Sequence, residues 1–381
     1  MKILVVAHYQ GDGSPTAIFI HDQMKAYVEA GHEVMVISPI GIGKKDLQGS
    51  RLSLGIRKQM IDGIQHVYLR YLTISRFGNR HFNHASAIAA LKLHFDAVLD
   101  HFQPDVIHAH TLGFNSEIGA WLKAKLNVPL VVTTHGSDTT VLVNKGRFPE
   151  LHGYCAKADL VVAVSNTLAD RLRQCETKTR VITIHNGYND IRTAQDPEKE
   201  DLSCLQVSNL IELKQIPVTI QAFKKIYTQY PQAKLTIIGQ GPDRDMLEQL
   251  CTDLQLTEAV TFTGQLPHRE VLERMEKSQF YIMPSVREGF PVSYLEAMGR
   301  GCVTIGTATE GISEIICNGV NGFLVQPGDS ETIGRYVRMC IEDPAKARSV
   351  AAEGEKTAHK LTWKANAQRY EELFRKLVKG D

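Results

Sequence analysis

Two successive series of short apolar runs, each alternating with longer segments of helical period, constrain this 381-residue chain more than any other feature. The first series is Ile3–Ala7, Val34–Ser38, Val106–His110, Leu130–Thr134 and Leu160–Ser165; the second is Leu205–Ser208, Leu235–Gly239, Val260–Phe262, Phe280–Met283 and Val303–Gly306. Strands buried on both faces need such continuous Val/Ile/Leu runs, and the amphipathic stretches between them supply the crossover helices. Each series therefore predicts a doubly wound parallel sheet, an α/β domain covered on both sides. Two domains also suit a length beyond which a single core usually stops growing. Between the series lies Gln195–Asp201, charged, Pro-containing and free of large apolar side chains, which predicts a linker. The expected domains are 1–193 together with 363–381, and 194–362. The last segment is included with the first domain because Trp363, Ala367, Tyr370, Leu373, Phe374 and Leu377 share a helical face. A stripe this apolar needs a partner, and the expected partner is the first domain across the junction.

Charge and cysteine usage narrow the function classes. Lys+Arg 43 against Asp+Glu 42 gives no whole-chain attraction to nucleic acid, so none is expected as a partner. The seven cysteines are scattered, odd in number and nowhere spaced CxxC; neither a disulfide framework nor a zinc site is signalled, and a cytoplasmic location is expected. No run approaches the ~20 apolar residues of a spanning helix. Charge is uneven in one place: residues 41–95 hold nine Lys/Arg (Lys44, Lys45, Arg51, Arg57, Lys58, Arg70, Arg76, Arg80, Lys92) against Asp46 and Asp62. This segment reads either as a solvated face or as a surface attracted to anionic lipid or a phosphate-bearing acceptor, which would make the protein peripheral on the inner face of a membrane.

The segment richest in chemistry is Pro284–Met298. Here a strand ends, Gly289 offers a tight turn, and Pro291 suits the first turn of a following helix, whose free N–H groups at Gly289–Val292 would attract an anion. Glu288 and Glu296, eight residues apart, would lie at most about 12 Å apart along a helix, matching the reach from a donor sugar to a ribose. Carboxylates accept hydrogen bonds and suit vicinal hydroxyls. Asp243-Arg244-Asp245 spells a D-x-D, but it opens the helix expected at Arg244–Leu254 and reads as helix-start acids, so no metal is expected. Gly11 and Gly13 follow the first strand without completing a G-x-G-x-x-G, and suit a backbone loop near a bound phosphate or second substrate. His108 and His110 would share one face of a strand, for which a structural or acceptor-side role fits better than a metal pair lacking a third ligand.

Glu-x7-Glu within PSxxEGFPxxxLEAMxxG resembles the signature of the family four retaining glycosyltransferases with the GT-B fold. Further blocks match in order: Pro104–His110, Thr134–Asp138, Ala158–Ser165, Asn186-Gly187, Ile238–Pro242 and Gly319–Val325. The opening, Pro15–Gln23 and Ala30–Val34, looks most like members that build bacterial surface polysaccharides, including teichuronic-acid-type enzymes. The resemblance implies two Rossmann-like domains facing across a cleft, with the C-terminal helix crossing back to the first. It implies a hexosyltransferase that takes a UDP- or GDP-linked sugar, with no cofactor or metal, to a glycan or lipid-linked acceptor. On the matching positions, His135 would contact the donor hexose, Lys214 the departing diphosphate, Glu288 the sugar and Glu296 the ribose, with Gly241, Gly289, Phe290, Pro291 and Val292 around the donor and His110 on the acceptor side.

This chain also departs from the pattern. Asn209 stands where an arginine is usual, Gln215 where a glycine follows the lysine, and Ser313 where a proline precedes Glu314 in G-G-I-P-E. An amide donates to phosphate without charge; either another cation substitutes, with Arg287 the candidate, or the site leans more on backbone N–H groups. The implied mechanism is front-face substitution, in which the leaving diphosphate takes the acceptor's proton. An epimerase, a phosphorylase, or a catalytically silent nucleotide-sugar-binding subunit are the competing readings.

Overall fold

The computed structural model describes residues 1–9, 18–43, 55–74, 80–175, 178–191 and 198–380. The chain divides into two compact units, Met1–His185 with Trp363–Asp381, and Asn186–Thr362. Along the first unit run β1 (Lys2–Val6), α1 (Ile18–Glu29), β2 (Glu33–Ile42), β3 (Ile56–Ile61), β4 (Ile64–Leu72), α2 (Arg80–Leu93), α3 (Phe95–Leu99), β5 (Val106–His110), α4 (Phe114–Leu126), β6 (Leu130–Thr134), α5 (Ser137–Asn144), α6 (Phe148–Cys155), β7 (Leu160–Ala163), α7 (Asn166–Gln174) and β8 (Val181–Thr183). The second holds β9 (Glu200–Val207), α8 (Ile216–Gln229), β10 (Lys234–Ile238), α9 (Arg244–Asp253), β11 (Val260–Gly264), α10 (His268–Lys277), β12 (Ser278–Ile282), α11 (Val292–Gly299), β13 (Val303–Thr307), β14 (Phe323–Val325), α12 (Ser330–Glu342) and α13 (Pro344–Ala358), after which α14 (Trp363–Lys379) returns to the first unit.

Both units are Rossmann-like. The first sheet is ordered β3-β4-β2-β1-β5-β6-β7-β8 and is parallel except where β3 meets β4; the second is ordered β11-β10-β9-β12-β13-β14 and is parallel throughout. Strand order reverses at β1 and β5 in one and at β9 and β12 in the other. Loops leaving the carboxyl ends of those strands splay apart, opening the crevice in which doubly wound sheets bind ligands. All ten runs expected as strands are strands, with core residues such as Leu4, Val6, Ile107 and Val132, or Leu235, Ile237, Phe280 and Ile305, fully buried.

Four strands, β3, β4, β8 and β14, fall outside those ten runs. β8 and β14 are three residues long, and β3 carries Arg57, Lys58 and Gln59 in a row at a sheet edge. The β3–β4 hairpin turns on Asp62-Gly63, both left-handed (φ 49° and 76°), the dipeptide favoured in a two-residue turn. The linker expectation needs correction: residues 192–197 lie outside the described set, but Glu200 and Asp201 already belong to β9. Lys199 is anchored as well, its ammonium donating to the carbonyls of Met275 (3.1 Å), Ser278 (2.8 Å) and Arg300 (2.7 Å), so this charge is structural.

α14 uses its apolar stripe within the first unit. Tyr370 and Phe374 pack edge-on against Tyr27, the Tyr370 hydroxyl meets Thr133 Oγ1 at 2.7 Å, and Gln23 donates to Asn366 at 2.7 Å.

Candidate active site

In the second unit the chain leaving β9 enters a short 3₁₀ turn, Glu212–Lys214, closed by Gln215 in the left-handed conformation (φ 50°). Glycine would adopt this conformation without steric cost, so the glutamine here carries local strain. The turn is tied down from two sides: Gln206 Nε2 donates to the Lys214 carbonyl (3.0 Å), and the Leu213 carbonyl accepts Val286 N–H (2.9 Å) from the loop after β12. Those two loops flank the point where strand order reverses, and their side chains meet there. The Lys214 ammonium donates to Glu288 Oε1, with both side chains less than one-fifth exposed (18% and 17%).

The loop carrying Glu288 is itself clamped. Glu310, almost fully buried, accepts Arg287 N–H (2.8 Å) on one carboxylate oxygen and Glu288 N–H (2.7 Å) on the other. Charge-assisted bonds of this kind are worth about 1.5–3 kcal/mol each, enough to hold Arg287 left-handed (φ 62°). The turn therefore pivots on Arg287 rather than on Gly289, and the exposed Arg287 is outside the Lys214–Glu288 contact. Thr307 Oγ1 holds the Ser285 carbonyl (2.8 Å), and Asn186 Nδ2 holds that of Phe290 (2.9 Å), whose ring is buried.

α11 starts at Val292, so Pro291 stands just before the helix instead of in its first turn, and Glu288 is on the loop. The 12 Å spacing along one helix consequently does not apply. Glu296, on α11 and mostly buried, accepts from His268 Nε2 at 2.6 Å.

Beside these loops lies a depression of about 650 Å³ lined by Asn209, Ile211, Gln240, Gly241, Pro242, Arg244 and Gly264. Its floor is backbone on backbone: Leu210 N–H donates to Gln240 O (3.0 Å), Asp243 N–H to Leu210 O (3.2 Å) and Gly239 N–H to Gly264 O (2.9 Å). Asp243 stands at the N-cap position of α9 without a capping bond from its side chain, and Asp245 lies in the first turn. No group of three His, Cys, Asp or Glu among the described residues could hold a metal ion.

In the first unit His110 ends β5 and His135 follows β6. Their rings stack at 5.3 Å, and His110 Nδ1 lies 3.0 Å from His135 Nε2, so one nitrogen donates and the other accepts. Burial lowers the pKa of His135 to about 4, against a smaller upward push from Asp138, and holds His110 well below its usual value; both are neutral near pH 7. His135 Nδ1 and His110 Nε2 have no hydrogen-bond partner among the described residues. Asp138 fixes the loop by accepting His135 N–H (3.2 Å), Gly136 N–H (3.1 Å) and Leu112 N–H (2.7 Å). His108 is a core residue bonded to Thr133 Oγ1 at 2.8 Å. Gly11 and Gly13 lie outside the described residues.

Family comparison assigns each half. Residues 16–192 match "Glycosyltransferase Family 4" and residues 188–357 match "Glycosyl transferases group 1". The chain is a glycosyltransferase of the GT-B fold, similar to family four. Among curated relatives of this glycosyltransferase, N-acetyl-alpha-D-glucosaminyl L-malate synthase of Bacillus anthracis is 23% identical over 94% of the chain and 92% of its own length. A lipopolysaccharide core biosynthesis glycosyltransferase of Rhizobium meliloti is 24% identical over 98% of each. In fold it is similar to sucrose-phosphate synthase from Thermosynechococcus elongatus (TM-score 0.79, 20% identity, all of both chains). It is likewise similar to an Anabaena protein, HepE, crystallised with UDP and glucose (0.74, 19%, 98% and 99%).

Of the residues singled out in sequence, Lys214 and Glu288 are in direct contact, Asn209 and Gly241 share the depression, and His110 and His135 share a stack. Sequence reading missed Glu310, His268 and Arg244. Glu310 stands in the first glycine position of G-G-I-P-E, a departure that was itself a readable signal; His268 had none, because only the fold brings α10 beside α11.

Proposed function

We propose that this chain transfers a hexose from a UDP-linked donor, with retention of configuration and without a metal, onto a lipid-linked or polysaccharide acceptor of the bacterial cell envelope. The observation that carries the reading is the Lys214–Glu288 pair at the carboxyl ends of β9 and β12. An ammonium held beside a carboxylate at the reversal of strand order suits a ligand with a diphosphate next to sugar hydroxyls. UDP in the HepE crystals supports the choice of base, and the lipopolysaccharide enzyme supports the acceptor class.

The acceptor hydroxyl attacks the anomeric carbon on the face the diphosphate leaves. The bond from that carbon to the β-phosphate oxygen breaks, and the hydroxyl proton passes to the departing oxygen. Lys214 offsets the charge released, Glu288 orients the sugar, and Glu296 takes the ribose through the oxygen not used by His268. The start of α11, at Val292 and Ser293, presents backbone N–H groups. A panel of nucleotide sugars in thermal melting tests this: UDP-linked donors should raise Tm with and without chelator, because a ligand that binds only the folded state stabilises it. Stabilisation that disappears with chelator and returns with manganese would remove the metal-free reading.

Residues 41–95 support a membrane-facing first domain at the cytoplasmic face. Arg57, Lys58, Arg70 and Lys92 accompany the exposed apolar side chains Met60, Ile74 and Leu93, although Lys58 is paired with Asp100 at 2.7 Å. No helix among the described residues is long and apolar enough to cross a membrane. Co-sedimentation with liposomes containing anionic lipid is expected and should fall steeply with salt; equal binding to neutral liposomes would contradict it.

A further inference from the structure

A diphosphate brings roughly two to three negative charges into a site where the single positive charge of Lys214 is shared with Glu288, while Asn209 brings none. Among the described residues, the one charged side chain lining the depression is Arg244. A Cβ placed on Gly264, at the end of β11, would stand 3.7 Å from its Nη1, and its guanidinium lies 6.0 Å from the centre of the Phe262 ring. Nε donates to Glu248 Oε1 (2.8 Å), and Nη2 makes a long 3.5 Å approach to the Phe262 carbonyl. Arg244 and Glu248 are 40% and 46% exposed, so this pair one helical turn apart is worth little and yields readily to a stronger anion. A guanidinium has five donors in a fork that fits phosphate oxygens in pairs.

We infer that Arg244 binds the donor's diphosphate, supplying from the start of α9 the charge that position 209 lacks. This rests on the nucleotide-sugar reading of the site. Asp243 and Asp245 flank Arg244 in the chain and Glu248 pairs with it, so the spot holds free phosphate poorly; the ligand must be held by its nucleoside as well.

Calorimetry and competition NMR with UDP, uridine and inorganic phosphate test the inference on the full chain. Arg244→Ala and Arg244→Gln should each weaken UDP binding about tenfold or more while uridine changes less than twofold, and phosphate alone should not bind. Adding Asn209→Arg to Arg244→Ala should recover most of the loss. Because Arg244 is partly exposed, the variants should melt near wild type; melting checks this, and Arg244→Lys, which retains the charge, should lose less than Arg244→Gln. Unchanged UDP affinity, or equal losses for UDP and uridine, overturns the inference. Failure of the unaltered protein to bind any nucleoside diphosphate instead brings down the underlying reading of the site.

Discussion

Lys214→Ala is expected to lower kcat/KM by about two to three orders of magnitude, and Glu288→Gln by at least one to two. A preorganised cation aimed at charge that appears only as the diphosphate departs acts mainly on the transition state, and losing one such contact costs roughly that much in rate. The contact is screened from water, each side chain being under one-fifth exposed, so its electrostatic effect is larger than that of a surface pair. Removing the lysine also strands Glu288 without its partner, a second penalty felt in folding. Steady-state kinetics must therefore be read beside melting curves. Lys214→Ala with Glu288→Gln relieves the stranded charge and should regain stability without regaining turnover. A Lys214→Ala enzyme within threefold of wild type would remove this lysine from the chemistry.

Gly239→Ala and Gly241→Ala should each cost about 3 kcal/mol or more, with donor binding lost in any folded remainder. A Cβ on Gly239 would stand 1.9 Å from the Ser208 carbonyl oxygen, and one on Gly241 2.2 Å from that of Leu210. These are backbone atoms, fixed by the cross-loop bonds that make the floor of the depression, so no side chain can swing away. Gly239 is also left-handed (φ 141°), which adds strain for any other residue. Gly146, equally left-handed (φ 63°) but with open space at its Cβ, is the control and should lose only about 1 kcal/mol on the same change. Urea unfolding measures all three; a Gly241→Ala loss under 0.5 kcal/mol would contradict the close crossing.

Both predictions act where the fold joins distant segments, which is also where sequence reading was least complete. Asp62-Gly63 marked a hairpin that a search for buried runs passed over, because β3 is an edge strand with Lys and Gln among its apolar residues. Glu288 was legible as an acid between a strand and a helix, but its support was not, since Glu310 lies 22 residues away and reaches it only because β12 and β13 pair side by side. Arg244 read as a helix-start residue until the crossing of the loops after β9 and β10 placed it beside Asn209.

By itself, the sequence determined the two parallel sheets, the return of the last helix, and the residue types available for donor chemistry. Strand runs and helical periodicity are local signals, and burial on both faces leaves a pattern that survives without coordinates. Tertiary structure alone decided that Lys214 is held by Glu288, that Glu310 locks the turn at Arg287, that His268 occupies one oxygen of Glu296, and that Arg244 faces the same depression as Asn209. Each is a contact across tens of residues, specified by strand order and register, and no local pattern encodes which side chains such a register will bring together.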